Sequence, residues 1–159
     1  MISGHTVNNA LAGRKFDFAC TACGKCCSGP GEVYFTDEDL TRIYEYLKLD
    51  AKQAKQLKKK LIQYRRKGLH VHSSGKTCLF LKNNQCTVYP VRPMQCSTFP
   101  FWPSHFHSPD TLDELSSECP GSLKGTGETF SFAETVRRIR ETEREFTTIQ
   151  NDHSNPIML

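Results

Sequence analysis

Apolar residues recur at helical spacing in three stretches of the chain. Leu40, Ile43, Tyr44 and Leu47 return every three or four residues, which predicts a helix running to about Lys48. Thr36 sits one step before Asp37, Glu38 and Asp39, so it reads as the N-cap, with a carboxylate three residues on and acids opposing the helix dipole. Asp50 with Gln53 offers a second cap, opening a helix through Ala51, Ala54, Leu57, Leu61 and Tyr64 that stops near Gly68. The third helix runs from Phe130 to about Ile149, with Ala133, Val136, Ile139, Phe146 and Ile149 on one stripe.

Between the helices the pattern shortens. Residues 32–35 read as a strand, and His70, Val71 and His72 as an extended segment ended by a turn at Ser73, Ser74 and Gly75. Residues 78–81 and 86–89 resemble two strands of a hairpin around Lys82, Asn83, Asn84 and Gln85. A two-residue turn would put Cys78 and Cys86 on opposite faces, whereas a three-residue loop with a bulge would put them on one face. The second is expected if they share a site. Pro90, Pro93, Pro100 and Pro103 break regular structure, and Phe99, Phe101, Trp102 and Phe106 make that stretch an aromatic loop over the core of the site. Residues 1–15 are polar and aperiodic, a loosely held arm from which Phe16 and Phe18 enter the core.

Composition changes this picture in one respect. The chain has 159 residues, 37% of them hydrophobic, and eight are cysteines, so part of the stability is expected from cross-links or metal rather than from apolar burial alone. Residues 1–18 hold no apolar run of signal-peptide length, and no window anywhere is long and apolar enough for a membrane span. The expectation is therefore a cytoplasmic protein in a reducing compartment, which favours metal over disulfides. Net charge is +4, unevenly spread: between Asp50 and Asp110 lie eleven Lys and Arg and no carboxylate. Calcium and magnesium, which want oxygen ligands, are disfavoured there.

Four of the cysteines, Cys20, Cys23, Cys26 and Cys27, fall within eight residues with the spacing C-x2-C-x2-C-C. A Cys-x2-Cys turn sets two thiolates on one side of a backbone knuckle, and Gly24 directly after Cys23 suits it. Structural zinc takes four Cys or His ligands and iron–sulfur clusters take four thiolates, so spacing alone leaves both open, with a disulfide framework as the third reading. Zinc is placed first. Side chains of the vicinal pair Cys26 and Cys27 diverge, so one ion rarely accepts both. Lys25, Lys76, Lys82 and Arg92 would favour thiolates by offsetting their charge.

The run from Cys20 to Cys27 continues into Gly29-Pro30-Gly31, followed by Cys78-Leu79-Phe80-Leu81, Cys86-Thr87-Val88-Tyr89, Val91-Arg92-Pro93-Met94-Gln95-Cys96, Phe99-Pro100-Phe101-Trp102-Pro103 and Cys119-Pro120-Gly121. This set resembles the YkgJ-type cysteine-cluster family, the CxxCxxCC proteins described as zinc- or iron-chelating domains. The resemblance implies metal chelation by Cys20, Cys23, Cys26, Cys27, Cys78, Cys86, Cys96 and Cys119, without naming a reaction. The fold expected is a small single α+β domain organised around a cysteine-ligated metal centre, with a short β-hairpin and about three helices. Its parts are an arm (1–15), the metal-chelating domain (16–125), a packed C-terminal helix (126–150) and a tail (151–159).

Arg92 reads as support for the metal centre, donating hydrogen bonds to sulfur or to a buried carbonyl. His105 with His107 and His70 with His72 read as polar residues before ligands. Lys52, Lys55, Lys58, Lys59, Lys60, Arg65, Arg66 and Lys67 make the helix 51–67 basic. A solvated face is the plain reading, and contact with nucleic acid or a protein partner the functional one. No Ser-His-Asp arrangement, hydrolytic carboxylate pair or Gly-rich nucleotide fingerprint is present. The expected role is thus a metal-binding protein whose zinc or iron is structural or handled. The alternatives are an iron–sulfur redox or maturation enzyme or its accessory subunit, and an adaptor using the basic helix.

Overall fold

Local capping decides where most helices begin. In the computed structural model, which describes residues 1–28, 31–65, 68–73 and 77–152, Thr36 caps α2 (Asp37–Tyr46): its hydroxyl accepts from the Asp39 amide while the Asp39 carboxylate accepts from the Thr36 amide. Asp50 and Gln53 bond reciprocally in the same way ahead of α3 (Ala51–Leu61). Both starts match the sequence expectation.

The observed fold is α+β, and the chain divides into two units, Met1–Lys25 with Thr98–Thr147, and Cys26–Ser97 with Thr148–Leu159. The first unit holds α1 (Gly4–Leu11), β1 (Phe16–Phe18), α5 (Pro109–Glu118), β7 (Glu128–Phe130) and most of α6 (Phe132–Asp152). Strand β1 pairs antiparallel with β7, Phe16 opposite Phe130. Val7, Leu11, Phe16, Phe101, Phe106, Leu112, Leu115, Phe130, Val136 and Ile139 form its core. Phe16 and Phe106, 5.1 Å apart edge to face, are each worth about 2–3 kcal/mol of burial.

The second unit holds β2 (Gly31–Tyr34), α2, α3, β3 (Ile62–Arg65), β4 (Gly68–Ser73), the short hairpin β5 (Leu81–Lys82) and β6 (Gln85–Cys86), and α4 (Met94–Ser97). Its three-stranded sheet has the order β2-β4-β3, antiparallel throughout. Phe35, Leu40, Ile43, Leu61, Phe80 and Val88 are its core, and Cys78 and Cys86 pack against it.

Several expectations are corrected. Helix α3 stops at Leu61 rather than near Gly68, because Ile62-Gln63-Tyr64-Arg65 alternates apolar and polar residues and pairs with β4 instead. The basic run 51–67 is therefore only partly helical, and Arg66 and Lys67 lie outside the described residues. Phe130 closes β7, and the last helix starts at Phe132 behind Ser131, whose hydroxyl accepts from the Glu134 amide. The three expected helices are α2, α3 and α6; α1, α4 and α5 are additional. Residues 1–15, expected as a loose arm, contain α1 with Val7, Ala10 and Leu11 buried, since these three residues share one helical face. The turns expected through Gly29–Pro30 and Ser74–Gly75 lie partly outside the described residues, as does the tail from residue 153.

Candidate metal centre

The thiol cluster begins where the chain turns tightly. Cys26 and Cys27 occupy a 3₁₀ turn, Lys25–Cys27, with their Sγ atoms 4.0 Å apart. Gly24 before it takes φ 72°, the left-handed conformation glycine adopts without strain. The Cys78 amide donates to the Cys27 carbonyl at 2.8 Å.

The hairpin corrects the expected register. Leu81 pairs with Cys86 and Lys82 with Gln85, so the turn is the two residues Asn83 and Asn84, with φ 49° and 60°. Asparagine tolerates the left-handed region, and two such residues make the tight turn that suits twisted strands. Cys78 escapes the opposite-face rule because it lies outside the paired strands, in a turn closed by the Leu81 amide donating to the Cys78 carbonyl at 2.9 Å. Its charge still reaches Cys86, whose thiol it raises.

Cys96 arrives on α4, which Gln95 seats against β2: the Tyr34 amide donates to Gln95 Oε1 at 2.9 Å. Arg92 stands on the approach to α4, its Nη1 donating to the Tyr89 carbonyl at 3.0 Å and its guanidinium lying 4.0 Å over the Tyr89 ring. Its positive charge acts on Cys26, Cys86 and Cys96 together.

Electrostatics within this unit separate the thiols. The hydrogen bond from Cys27 holds Cys26 down at about 6, and the same donor, aided by the Phe80 and Leu81 amides, holds Cys78 at about 6. Cys27 is raised correspondingly by its bonds to Cys26 and Cys78, because its proton serves two sulfurs. Burial raises Cys86, opposed by the Val88 amide directed at its sulfur. Burial, with the charges of Cys78, Cys26 and Cys86, pushes Cys96 up to about 12, opposed by Arg92. Five thiols, Cys26, Cys27, Cys78, Cys86 and Cys96, thus share one electrostatic neighbourhood.

Their chemistry fits a thiophilic metal. All five donors are sulfur, backbone amides already point at two of the sulfurs, and Arg92 supplies compensating charge. Such a set could hold zinc, or iron within a thiolate-bound cluster. Among the described residues, no three His, Cys, Asp or Glu side chains converge as a ready-made ligand group, while the sulfurs of Cys26 and Cys27 come within 4.0 Å. Binding a metal would draw them together and release their protons.

The remaining cysteines lie in the other unit. Cys20 and Cys23 are exposed, and Cys119 is half-buried at the end of α5, against that unit's core. The backbone ties the approach to Cys20 to the exit from Cys119: the Ala19 amide donates to the Gly121 carbonyl at 2.9 Å. A Cβ on Gly121 would fall 1.9 Å from the Ala19 oxygen, so only glycine permits this approach. The aromatic stretch expected over the metal site instead fills this unit's interior, Phe101 and Phe106 packing on Phe16. His105 packs there too, its Nδ1–H donating to the Pro100 carbonyl at 2.8 Å and its ring stacked on Trp102, and burial lowers its pKa. His107 is exposed, and the side chains of His70 and His72 are not among those described.

Sequence reasoning missed the amides of Phe80, Leu81 and Val88 as donors to sulfur; their signal was their place two or three residues after a cysteine. Lys52, Lys55, Lys59 and Lys60 on α3 are exposed, and Lys58 pairs with Asp37 at 3.3 Å. No helix among the described residues is long and apolar enough to cross a membrane.

An uncharacterized protein of Methanocaldococcus jannaschii, MJ0661, is 31% identical over 86 residues, covering 53% of this chain and 44% of that protein. The match thus spans less than half the length of that relative. No solved structure matches the chain. A family model does match, over residues 19–120, a span that includes all eight cysteines. The chain belongs to the CxxCxxCC family, described as "Putative zinc- or iron-chelating domain".

Proposed function

We propose that this is a cytoplasmic metal-binding protein that holds zinc, in preference to iron, through four thiolates drawn from Cys26, Cys27, Cys78, Cys86 and Cys96, with Arg92 balancing their charge. The observation that carries this reading is the set of five thiols that act on one another electrostatically, three of them in a carboxylate-free interval, with backbone amides directed at the Cys78 and Cys86 sulfurs. Cys20, Cys23 and Cys119, in the other unit, are taken as metal ligands in their own right on the family pattern alone. The metal's role is structural or one of metal handling, since the described residues around the thiols offer no acid–base pair for a reaction.

Iron is the second reading, supported by the all-thiol donor set and by the family description. Elemental analysis of protein purified with and without oxygen separates the two. Colourless protein carrying stoichiometric zinc from both preparations is expected. Brown anaerobic protein with a broad visible band would replace zinc by an iron–sulfur cluster, and folded protein free of metal would overturn both readings.

A further inference from the structure

We propose that Cys27 and Cys78 are an oxidation site: on meeting a peroxide they close an intramolecular disulfide. Cys27 has two sulfur neighbours, and geometry separates them. Cys26 is adjacent in sequence, its sulfur 4.0 Å from that of Cys27 on the 3₁₀ turn. Joining these two would close an eight-membered ring containing the peptide bond, which distorts that bond or the turn. Cys78 comes from a separate segment, its amide bonded to the Cys27 carbonyl at 2.8 Å. A single backbone hydrogen bond keeps the two Cα atoms within about 7 Å, the limit a disulfide can span without backbone movement. Both residues are half-buried and both lie in turns rather than in the interior of a helix or strand, so their side chains can rotate to meet.

The chemistry balances with hydrogen peroxide as the oxidant. One sulfur, as thiolate, attacks a peroxide oxygen; the O–O bond breaks, leaving a sulfenic acid and hydroxide. The second sulfur attacks the sulfenic sulfur and displaces its oxygen as a second hydroxide. The two thiol protons end on the hydroxides, giving two waters, and the two electrons that reduced the peroxide come from the sulfurs. The disulfide removes two thiolates from the metal-holding set, so oxidation ejects the metal. This second consequence rests on the function proposed above, and the pairing itself does not.

The test uses the full chain. Reduced protein as purified, its metal content measured beforehand, is given one equivalent of hydrogen peroxide, its free thiols are alkylated, and its peptides are mapped by mass spectrometry without reduction. A Cys27–Cys78 cross-link, short by two hydrogens, is expected as the dominant product, retained in Cys26→Ser and lost in Cys78→Ser. A dominant Cys26–Cys27 bond, another partner for Cys27, or sulfinic acid without cross-link would overturn the pairing. The wild-type map decides this even if a variant fails to fold. Zinc-loaded protein, followed with a chromophoric zinc indicator, should release zinc in step with the cross-link. Zinc retained at full cross-linking would overturn the coupling, and protein that cross-links yet never takes up zinc would contradict the proposed function while leaving the pairing intact.

Discussion

Arg92 sets the charge balance of the thiol cluster. Its guanidinium is held in place by the Tyr89 carbonyl and the Tyr89 ring, and its field lowers the thiols of Cys26, Cys86 and Cys96 against burial. Removing the charge raises those thiols, leaving fewer thiolates at neutral pH and weaker metal binding. Arg92→Gln should therefore cost about tenfold in zinc affinity, measured by competition with a chromophoric chelator, and the loss should shrink as pH rises and the thiols ionise unaided. Equal affinity at neutral pH would remove Arg92 from the site. Arg92 drew notice in the sequence because it stands in a cysteine-rich, carboxylate-free interval. The roles of Cys26, Cys27 and Cys78 were less legible there: which sulfur donates depends on a backbone contact between residues 27 and 78 that no local pattern encodes.

At the scale of elements, legibility followed the locality of the signal. The capping box at Thr36 and the Asp50–Gln53 pair lie within four residues and were readable. Helix α5 carries equally local signals, Ser108 as cap with Pro109 behind it and Leu112 and Leu115 inward, but the surrounding prolines masked them. The end of α3 depended on pairing between β3 and β4, a tertiary contact that overrode helical periodicity. The β1 edge shows the same dependence. Asp17 Oδ2 accepts from the amides of Lys124 and Gly125, and the Gly121 backbone docks on Ala19, one residue before Cys20. Gly121→Ala should cost more than about 3 kcal/mol in urea unfolding, because the new methyl meets a backbone oxygen that cannot yield without breaking this edge. Gly125→Ala, with open space around it and only the strain of φ 68°, should cost less, and equal losses would contradict the close approach.

Across the whole molecule, metal and fold are expected to be coupled in the unit that carries the five thiols. Among the described residues its apolar core contains Phe35, Leu40, Ile43, Leu61, Phe80 and Val88, with Cys78 and Cys86 resting on it. The Cys78 amide, donating to the Cys27 carbonyl, ties the approach to the hairpin to the turn at Cys26 and Cys27. The central claim is that sulfur alone holds the metal, and X-ray absorption at the metal edge of the purified, reduced protein tests it most directly. A first shell of sulfur at about 2.3 Å, with no nitrogen or oxygen component, is the predicted result for zinc. A shell of nitrogen and oxygen, or no stoichiometric metal in folded protein, would contradict it.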